Sequence, residues 1–422
     1  MSIQLEPVRG MRDILPPDSE GINTLLHAFQ NIAELYGYRY VIPPTVELFK
    51  LFAIKSGPEI SKSMYVFSDK AGREVCLRPE FTASIARIYL KYFRAEPKPI
   101  KIYYIGSAFR YEEPQFARYR EFIQAGTEYI GDSSIYSDLE QLMLLRDYYS
   151  KINLRDYTIK LGSVDILRTL LSGWGIPEKV QDEIIHYLDK KLVDEVYKIL
   201  GEYPSADKSF IDELISFRAE DPVKLLEFSK SMKFNGKIKE SVNKLSKILE
   251  ATKKLGIRAY VDLGFARGLA YYTGFIFEVM TPYINVSIGG GGRYDTLISL
   301  YEGPKTPGTG FSIGIDRTYL ALKEAGVKVG RALKKCMLIA SINDFAYIDK
   351  AASKLRSMNT IVDVRHAPIV KLSDLIGQAS RRGYNYVVII GEKEFGEGKL
   401  TIKNLSTKKQ VTVELDSLEV LP

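Results

Sequence analysis

Hydrophobic and polar positions change their spacing twice along this chain, and each change marks a different structural region. Up to about Leu154, a helical pattern (GINTLLHAFQNIAELYGY) precedes two strand-like runs, KIYYIGSAFRYE and REFIQAGTEYIG. From about Asp165 to Gly256, apolar residues recur at helical spacing, as in KVQDEIIHYLDKKLVDEVYKIL. Strand-like patterns return at IRAYVDLGFARGLAYYTGFIFEVM and YINVSIGGGGRYDTLI. We therefore predict a β-rich domain at 1–325 that is interrupted by a helical insertion at about 165–256.

A second predicted domain follows a short Val- and Gly-rich linker. Strand patterns (KCMLIASIN, TIVDVRH, YVVIIGEKE) alternate there with helix patterns (AYIDKAASKLRSM, SDLIGQASRRG), which is typical of a parallel α/β sheet. The final stretch, GKLTIKNLSTKKQVTVELD, predicts a hairpin. The expected fold class is thus α+β, with a small α/β domain at 331–422.

Composition narrows the class of protein further. The 422 residues are too many for one compact core, and 45% hydrophobic with 26% charged residues is typical of a globular chain. No apolar run is long enough to cross a bilayer and MSIQLEPVRGMRD is no signal peptide, so we predict a cytoplasmic protein without membrane contact. Cys76 and Cys336 are far apart, so no disulfide framework or zinc site is expected.

The positive charge is concentrated near the end of the chain. The net charge is +7, and residues 331–422 contain 15 Lys and Arg against 10 Asp and Glu, so five of the seven excess charges lie there. A basic module suits a polyanionic partner, although a solvated surface explains such a bias about as often. The three histidines, His27, His186 and His366, are scattered; we interpret them as structural or surface residues, and we predict no metal ligands among the site residues.

The fourteen residues FRYEEPQFARYREF, 109–122, combine three arginines, three glutamates and five aromatic rings. Strand alternation would place Arg110 and Glu112 on one face of the outgoing strand of a hairpin. Arg118, Arg120 and Phe122 would align across from them on the returning strand, which makes one shared surface. Guanidinium groups can hold phosphates, an aromatic ring can stack on a base and a carboxylate can help to hold Mg²⁺, so the hairpin fits a nucleotide. The alternative is a surface of cross-strand salt bridges.

Three further segments carry candidate chemistry. GFARGLAYYTGFIFEV is expected to be a strand that presents Arg267, Tyr271 and Tyr272 among glycines. SIGGGGRYD offers four consecutive glycines that permit positive φ and an open ledge for a ligand, and it matches neither a Walker loop nor a dinucleotide-binding fingerprint. GTGFSIGIDR ends at Arg317 as a helix begins, which fits either a phosphate clamp or a surface ion pair.

In this order, the segments resemble the class II aminoacyl-tRNA synthetases, and among them the histidyl-tRNA synthetase family. YGYRYVIPPTVELF resembles motif 1 with its proline at 44, the FRYE block resembles motif 2, and GFSIGIDR resembles motif 3. RGLAYYTG and GGGGRYD resemble the two histidine-specific signatures, and RGMRDILP near the start of the chain also matches. The resemblance runs from Pro7 to the C-terminus and implies an antiparallel-sheet catalytic domain followed by an anticodon-binding domain.

The resemblance also implies a reaction, in which histidine is activated by ATP and then transferred to the 3′ end of tRNA(His). Arg110, Arg267 and Arg317 would act as the catalytic cations around the triphosphate. The implied ATP-binding residues are Arg110, Glu112, Arg118, Phe122 and Arg317, with Mg²⁺ as a cofactor. The implied histidine-binding residues are Glu80, Thr82, Gln124, Glu128, Arg267, Tyr271 and Tyr272. Gln115 and Arg118 are candidate contacts to the tRNA acceptor end, and motif 1 implies a homodimer.

The chain departs from the family pattern at three positions. Ala270 stands where RGLDYYTG has an acidic residue, Glu113 replaces the arginine of FRYERPQ, and Phe81 stands where glycine is frequent. Ala270 leaves open what orients Arg267, and Glu113 bears on the contacts to the acceptor stem. One alternative function is an inactive synthetase-like regulatory subunit of a histidine-biosynthesis transferase. Another is a nucleic-acid-binding protein that uses only its basic end.

Overall fold

The structure is a computed structural model that describes residues 5–54, 63–234, 236–267, 271–330, 333–367 and 371–421. The chain divides into two compact units, residues 1–330 and residues 331–422. Each unit has its own hydrophobic core. The departure at Ala270 lies outside the described residues.

A nine-stranded sheet forms the centre of the first unit. Twelve strands are described in this unit: β1 (Arg39–Tyr40), β2 (Val46–Leu48), β3 (Val66–Ser68), β4 (Glu74–Leu77), β5 (Ile100–Phe109), β6 (Glu121–Ile130), β7 (Thr158–Ser163), β8 (Arg218–Ala219), β9 (Ala259–Asp262), β10 (Phe275–Thr281), β11 (Ile284–Arg293) and β12 (Gly308–Gly314). The large sheet has the order β1-β5-β6-β12-β11-β10-β7-β9-β8. Its central pairs, from β5–β6 through β10–β7, are all antiparallel, and β2-β4-β3 form a separate small sheet. The predicted β5–β6 hairpin is confirmed, with residues 110–120 as its long loop.

Helices cover this sheet and fill the stretch between β7 and β9. The α-helices described in the first unit are α1 (Asp18–Leu35), α2 (Phe49–Ala53), α3 (Thr82–Ile88), α4 (Ile135–Lys151), α5 (Val164–Gly173), α6 (Glu178–Asp189), α7 (Val193–Leu200), α8 (Lys208–Ser216), α9 (Pro222–Ser231), α10 (Gly236–Lys254), α11 (Leu297–Leu300) and α12 (Ile315–Glu324), and a π-helical turn (Tyr89–Phe93) follows α3. Helices α5 to α10 form the helical stretch that the spacing predicts, and the short strand β8 within it joins the edge of the large sheet.

Aromatic side chains join the helices to the sheet that carries the site. Phe29 on α1 is fully buried and makes edge contacts with Tyr103 on β5, Tyr148 on α4 and Phe311 on β12, with ring centroids 5.5–6.4 Å apart. Each such ring buries a large apolar surface, and edge-on pairs add a further stabilisation of about 0.5–1.5 kcal/mol. The sheet is therefore a rigid support for side chains on its other face.

The second unit is a five-stranded mixed sheet flanked by helices. Its strands are β13 (Lys335–Ala340), β14 (Ile361–His366), β15 (Tyr386–Ile390), β16 (Lys399–Asn404) and β17 (Gln410–Glu414), and its helices are α13 (Phe345–Ser357), α14 (Leu372–Arg381) and α15 (Glu392–Gly396). The order is β14-β13-β15-β16-β17, in which β13 pairs in parallel with both β14 and β15. The predicted terminal hairpin is the antiparallel pair β16–β17. The α+β class with a small α/β unit is thus confirmed.

Within the described ranges, none of the helices combines the length and the hydrophobicity needed to cross a membrane.

Candidate active site

One cavity in the first unit collects almost all of the site residues that the sequence indicates. It has a volume of about 1030 Å³ including its open mouth. It is lined by β5, β6, β11 and β12, by the loop between β5 and β6, by the segment between β9 and β10, and by residues around the starts of α3 and α12. The predicted residues that line it are Glu80, Thr82, Arg110, Glu112, Arg118, Phe122, Gln124, Glu128, Arg267, Tyr271, Tyr272 and Arg317. Gln115 does not line it. Three arginines from distant parts of the chain therefore face one shared space.

Arg110 follows directly after β5 and is held by contacts on two sides. Its Nε donates to the carbonyl oxygen of Pro79 at 3.1 Å, and its guanidinium lies 5.3 Å from the centre of the Phe122 ring. As far as the described residues show, these contacts use part of the guanidinium group and leave its other N–H groups for a ligand. A cation for phosphates and an aromatic face for a base therefore lie together at this end of the cavity.

Arg317 lies in the first turn of α12, as the sequence predicts. Its Nε donates to the carbonyl oxygen of Ala117 at 2.9 Å, and its Nη1 donates to that of Ser287 at 3.0 Å. Burial lowers the pKa of Arg317, and repulsion from the nearby Arg110 and Arg118 lowers it further. Three neighbouring cations that destabilise one another favour a polyanion in the space between them.

Arg267 reaches the cavity from a segment that is not a strand. The expectation of a strand through this region is wrong, because β9 ends at Asp262 and β10 begins only at Phe275. The Arg267 Nη1 donates to the carbonyl oxygen of Phe277 at 3.1 Å. A β-carbon added at Gly290 would lie only 1.7 Å from this Nη1. A backbone carbonyl and the absence of a side chain on β11 therefore position Arg267.

The four glycines at 289–292 were expected to leave an open ledge for a ligand, and the structure shows which part of the sheet they occupy. They lie inside β11, where they pair with β10 on one side and with β12 on the other. Gly289 and Gly290 line the cavity. The glycines serve to remove side chains from the floor of the site, so that long side chains from other elements can lie across it.

Two carboxylates lie at the inner end of the cavity, the fully buried Glu128 and the half-buried Glu80. Glu80 accepts hydrogen bonds from the backbone N–H groups of Thr82 (2.5 Å) and Ala83 (3.0 Å) at the start of α3. The Thr82 hydroxyl in turn donates to Oε1 of Glu128 at 2.8 Å. Burial raises the pKa of Glu80, and it raises the pKa of Glu128 from 4.5 to about 8. The deep end of the cavity therefore carries acceptor groups that lack the solvation of a free carboxylate.

Several polar atoms in this inner region have no partner among the described residues. They are Oε2 of Glu128, Oε1 of Gln124 and the hydroxyl of Tyr294. The hydroxyls of Tyr294 and Tyr104 lie near Glu128 and lower its pKa, which partly offsets the effect of burial. No described group reaches hydrogen-bond geometry with Oε2 of Glu128. Buried polar atoms of this kind are normally satisfied, so their presence indicates a site for a polar ligand with N–H groups.

Sequence reasoning missed two tyrosines that complete this region. Tyr104 on β5 and Tyr294 just after β11 both line the cavity beside Tyr271 and Tyr272. Tyr104 stacks on Phe81, with ring centroids 4.4 Å apart and planes at 8°, so the uncommon Phe81 serves as one wall. The strand pattern gave Tyr104 the character of a core residue. The signal in the sequence was Gly126, which lies opposite Tyr104 on β6. A side chain at Gly126 would collide with the Tyr104 ring, so a small residue is needed there.

The long loop between β5 and β6 differs from the expected arrangement at one arginine. Arg120 does not share a face with Arg118 and Phe122, and that expectation is wrong. Its side chain is buried between the loop and the N-terminal segment. Its Nε donates to the carbonyl oxygen of Glu112 in the loop at 3.0 Å, and its Nη1 donates to that of Arg9 in the N-terminal segment at 3.3 Å. The strand ladder ends before this loop, so the alternation of faces no longer applies.

The tip of the same loop faces the solvent. Gln115 and Arg118 exchange backbone hydrogen bonds of 3.3 and 2.9 Å around a tight turn. Arg118 also lies 3.9 Å from Glu112, where both side chains are partly exposed. The unusual Glu113 forms an exposed ion pair of 2.9 Å with Arg9. The loop is therefore tied to the N-terminal segment, and Gln115 stays outside the cavity.

Both units of the chain are similar to known proteins. A family model described as histidyl-tRNA synthetase matches residues 10–318, and one described as an anticodon binding domain matches residues 335–420. The histidine–tRNA ligase of Sulfurisphaera tokodaii is 42% identical over 421 residues, which are 99% of this chain and 98% of the relative.

Two solved structures are similar over most of the chain. The histidyl-tRNA synthetase of S. aureus shows a TM-score of 0.73 and 28% identity, covering 98% of each chain. A Bacillus halodurans protein titled both as an ATP phosphoribosyltransferase regulatory subunit and as a histidyl-tRNA synthetase shows a TM-score of 0.78 at 23% identity, covering 92% of this chain and 99% of that one. The second likeness concerns the fold alone.

Proposed function

The chain belongs to the histidyl-tRNA synthetase family, and we infer that it is a histidine–tRNA ligase. In the first step, the carboxylate of histidine attacks the α-phosphate of ATP, which gives histidyl-adenylate and releases pyrophosphate. In the second step, the 3′-terminal hydroxyl of tRNA(His) attacks the adenylate and AMP leaves. The observation that carries this conclusion is the shared cavity of Arg110, Arg267 and Arg317, with the buried Glu128 at its inner end.

We assign the three arginines to the triphosphate. The reacting carboxylate and the phosphate are both anions and repel each other, so cations must lie between and around them. Arg110 would contact the α-phosphate and the histidine carboxylate, Arg267 would stabilise the α-phosphate from the other side, and Arg317 would hold the γ-phosphate. Catalysis then rests on positioning and on cations fixed in advance, with no general base and no covalent enzyme intermediate.

The inner end of the cavity would hold the histidine. Glu80, Thr82 and Gln124 would surround the α-amino group, while Glu128 and Tyr272 would each meet one imidazole nitrogen. The unpaired Oε2 of Glu128 supports this assignment, because a ring N–H would satisfy it. A side chain without ring N–H groups would leave that oxygen buried and unpaired, which disfavours it strongly.

Mg²⁺ is proposed as a cofactor that binds together with ATP. Within the described part of the chain, no group of three or more His, Cys, Asp and Glu side chains could hold a metal ion alone. This fits Mg²⁺ in a nucleotide site, where one or two carboxylates and the phosphates are its usual ligands. Glu112 lines the cavity close to Arg118 and is the carboxylate that we assign to this role. When bound, the ion would neutralise phosphate charge.

The remaining predictions concern partners. We propose that Gln115 and Arg118 meet the acceptor end of tRNA(His) at the mouth of the cavity, and that the second unit binds the anticodon. We also propose a homodimer through the motif 1 segment, because its side chains Tyr40, Ile42, Val46 and Leu48 are apolar and exposed. A cytoplasmic location stays a prediction.

The test is histidine-dependent exchange of pyrophosphate into ATP by the purified protein. We expect exchange with histidine and none with other amino acids, and we expect Arg267→His to lower its rate by about 10²- to 10³-fold, as for other lost transition-state donors. A near-normal rate for Arg267→His would overturn the role given to Arg267. Histidine binding without any exchange by the natural protein would favour the regulatory subunit instead.

A further inference from the structure

An aromatic pair stands on the surface of the second unit. Phe345, the first residue of α13, is 67% exposed, and its ring contacts that of His366 at the end of β14, with centroids 5.5 Å apart and planes at 48°. Among the described residues of this unit, Phe345 is the one exposed aromatic side chain with such a large free surface. We call Phe345 and His366 the aromatic platform.

The platform is held in place before any ligand arrives. The Asp344 side chain caps α13 by accepting a hydrogen bond from the backbone N–H of Tyr347 at 2.8 Å, which fixes the backbone at Phe345. A ring nitrogen of His366, Nε2, lies 2.9 Å from the carbonyl oxygen of Ile342. Because the platform is already ordered, binding of a flat ligand there would cost little conformational entropy of the protein.

The place of the platform in the fold is one where ligands commonly bind. Strands β13 and β14 are parallel neighbours, and their register pairs Ala340 with His366 at their carboxyl ends. Ligands of open α/β sheets bind outside these ends of the strands. Strand β14 is also at one edge of the sheet, so the platform is open to the side.

Charge and composition select the kind of ligand. The second unit holds most of the excess positive charge of the chain. Arg365, which precedes His366 in the chain, has a side chain that is 44% exposed and pairs with Asp363 at 3.1 Å. Cations beside an exposed aromatic ring are the usual features of a surface for unpaired nucleotides, because the ring stacks on a base and the cations meet the phosphates.

A protein partner fits this surface less well. The other exposed large apolar residues described in the unit are Ile361 at the opposite end of β14, Val411 on β17 at the opposite edge of the sheet, Leu372 at the start of α14 and Val420. Within the described part of the unit, Ile361 and Val411 do not extend the platform into the continuous apolar patch that a docking protein would need.

We propose that Phe345 and His366 form the stacking platform for one unpaired base of the tRNA anticodon loop. This proposal rests on the proposed function and adds to it the residues that receive the base. Phe345 supplies the stacking face, and His366 holds that face in its orientation.

The test compares three activities of the full-length chain. For Phe345→Ala, we expect kcat/KM for charging full-length tRNA(His) to fall roughly 5- to 150-fold, the usual loss for one base–aromatic stack. Histidine-dependent pyrophosphate exchange and the charging of a hairpin with only the acceptor stem should stay unchanged. Phe345→Trp should retain full activity, and His366→Ala should show a smaller loss than Phe345→Ala.

Ile361→Ala is the matched control, because it removes an exposed apolar side chain from the opposite end of β14. It should charge full-length tRNA normally. The proposal is overturned if Phe345→Ala charges full-length tRNA like the natural protein, or if it loses the same factor on the acceptor hairpin. Absence of pyrophosphate exchange in the natural protein would instead count against the proposed function, so the two failures can be told apart.

Discussion

Gly290 gives the sharpest test of how the site is built. A β-carbon at this position would lie 1.7 Å from Nη1 of Arg267 and 2.7 Å from the carbonyl oxygen of Phe277, which accepts the hydrogen bond of that same Nη1. The carbonyl belongs to β10, paired on both sides, and cannot move far. In Gly290→Ala, the guanidinium must therefore leave the cavity floor.

The expected loss of activity follows from that displacement. If Arg267 stabilises the reacting phosphate, its removal from position costs about 2.7–4 kcal/mol of transition-state stabilisation, or about 10²- to 10³-fold in kcat. Steady-state pyrophosphate exchange measures this directly. The tight contact with Phe277 should also lower the free energy of unfolding by about 1–3 kcal/mol, which urea denaturation measures separately.

A double substitution separates the two effects. In an Arg267→Ala background, Gly290→Ala has no guanidinium to displace, so it should lower exchange little further, although the cost in stability remains. Gly173→Ala is the control for an added methyl group, because no atom lies within 4 Å of a β-carbon added there, and it should leave exchange unchanged. Equal losses from Gly290→Ala with and without Arg267 would show that the glycine does not act through this guanidinium.

Three further outcomes are expected. Burial raises the pKa of Glu128 from 4.5 to about 8. Between these pH values the carboxyl is ionised in the unfolded chain and still protonated in the folded protein, so the free energy of unfolding falls as the pH rises. Glu128→Gln should therefore gain stability relative to the natural protein across that range and no more above it, and a pH-independent difference in urea unfolding would contradict this. Arg293 is fully buried and forms ion pairs with Asp138 at 2.8 Å and with Asp295 at 3.1 Å. Arg293→Met would leave the buried Asp138 without its partner and should lower the free energy of unfolding by about 3–5 kcal/mol. An unchanged midpoint of denaturation would show that these ion pairs contribute little to stability. Ile42 is 74% exposed in motif 1, so Ile42→Asp should shift a dimer toward monomer in analytical ultracentrifugation, whereas a natural protein that is already monomeric at micromolar concentration would contradict the proposed dimer.

The outline of the fold was predictable because it depends on local periodicity. The strand-like runs KIYYIGSAFRYE and REFIQAGTEYIG predicted β5 and β6, and helical spacing predicted the stretch that forms α5 to α10. The prediction failed where a segment belongs to no regular element. Arg267 lies in such a segment, and Arg120 lies in a loop where strand alternation has ended, so neither pattern could orient these side chains.

The site itself was predictable as a set of residue types and unpredictable as a geometry. Which cations, carboxylates and rings are available can be read from the chain alone, because each residue type has its own chemistry wherever it lies. Three-dimensional packing was needed to learn that a glycine on β11 makes room for Arg267, that Tyr104 and Tyr294 face Glu128, and that Arg120 turns away from the cavity. These outcomes depend on contacts between residues far apart in the chain, and packing at atomic distances is not encoded in the spacing of any one segment.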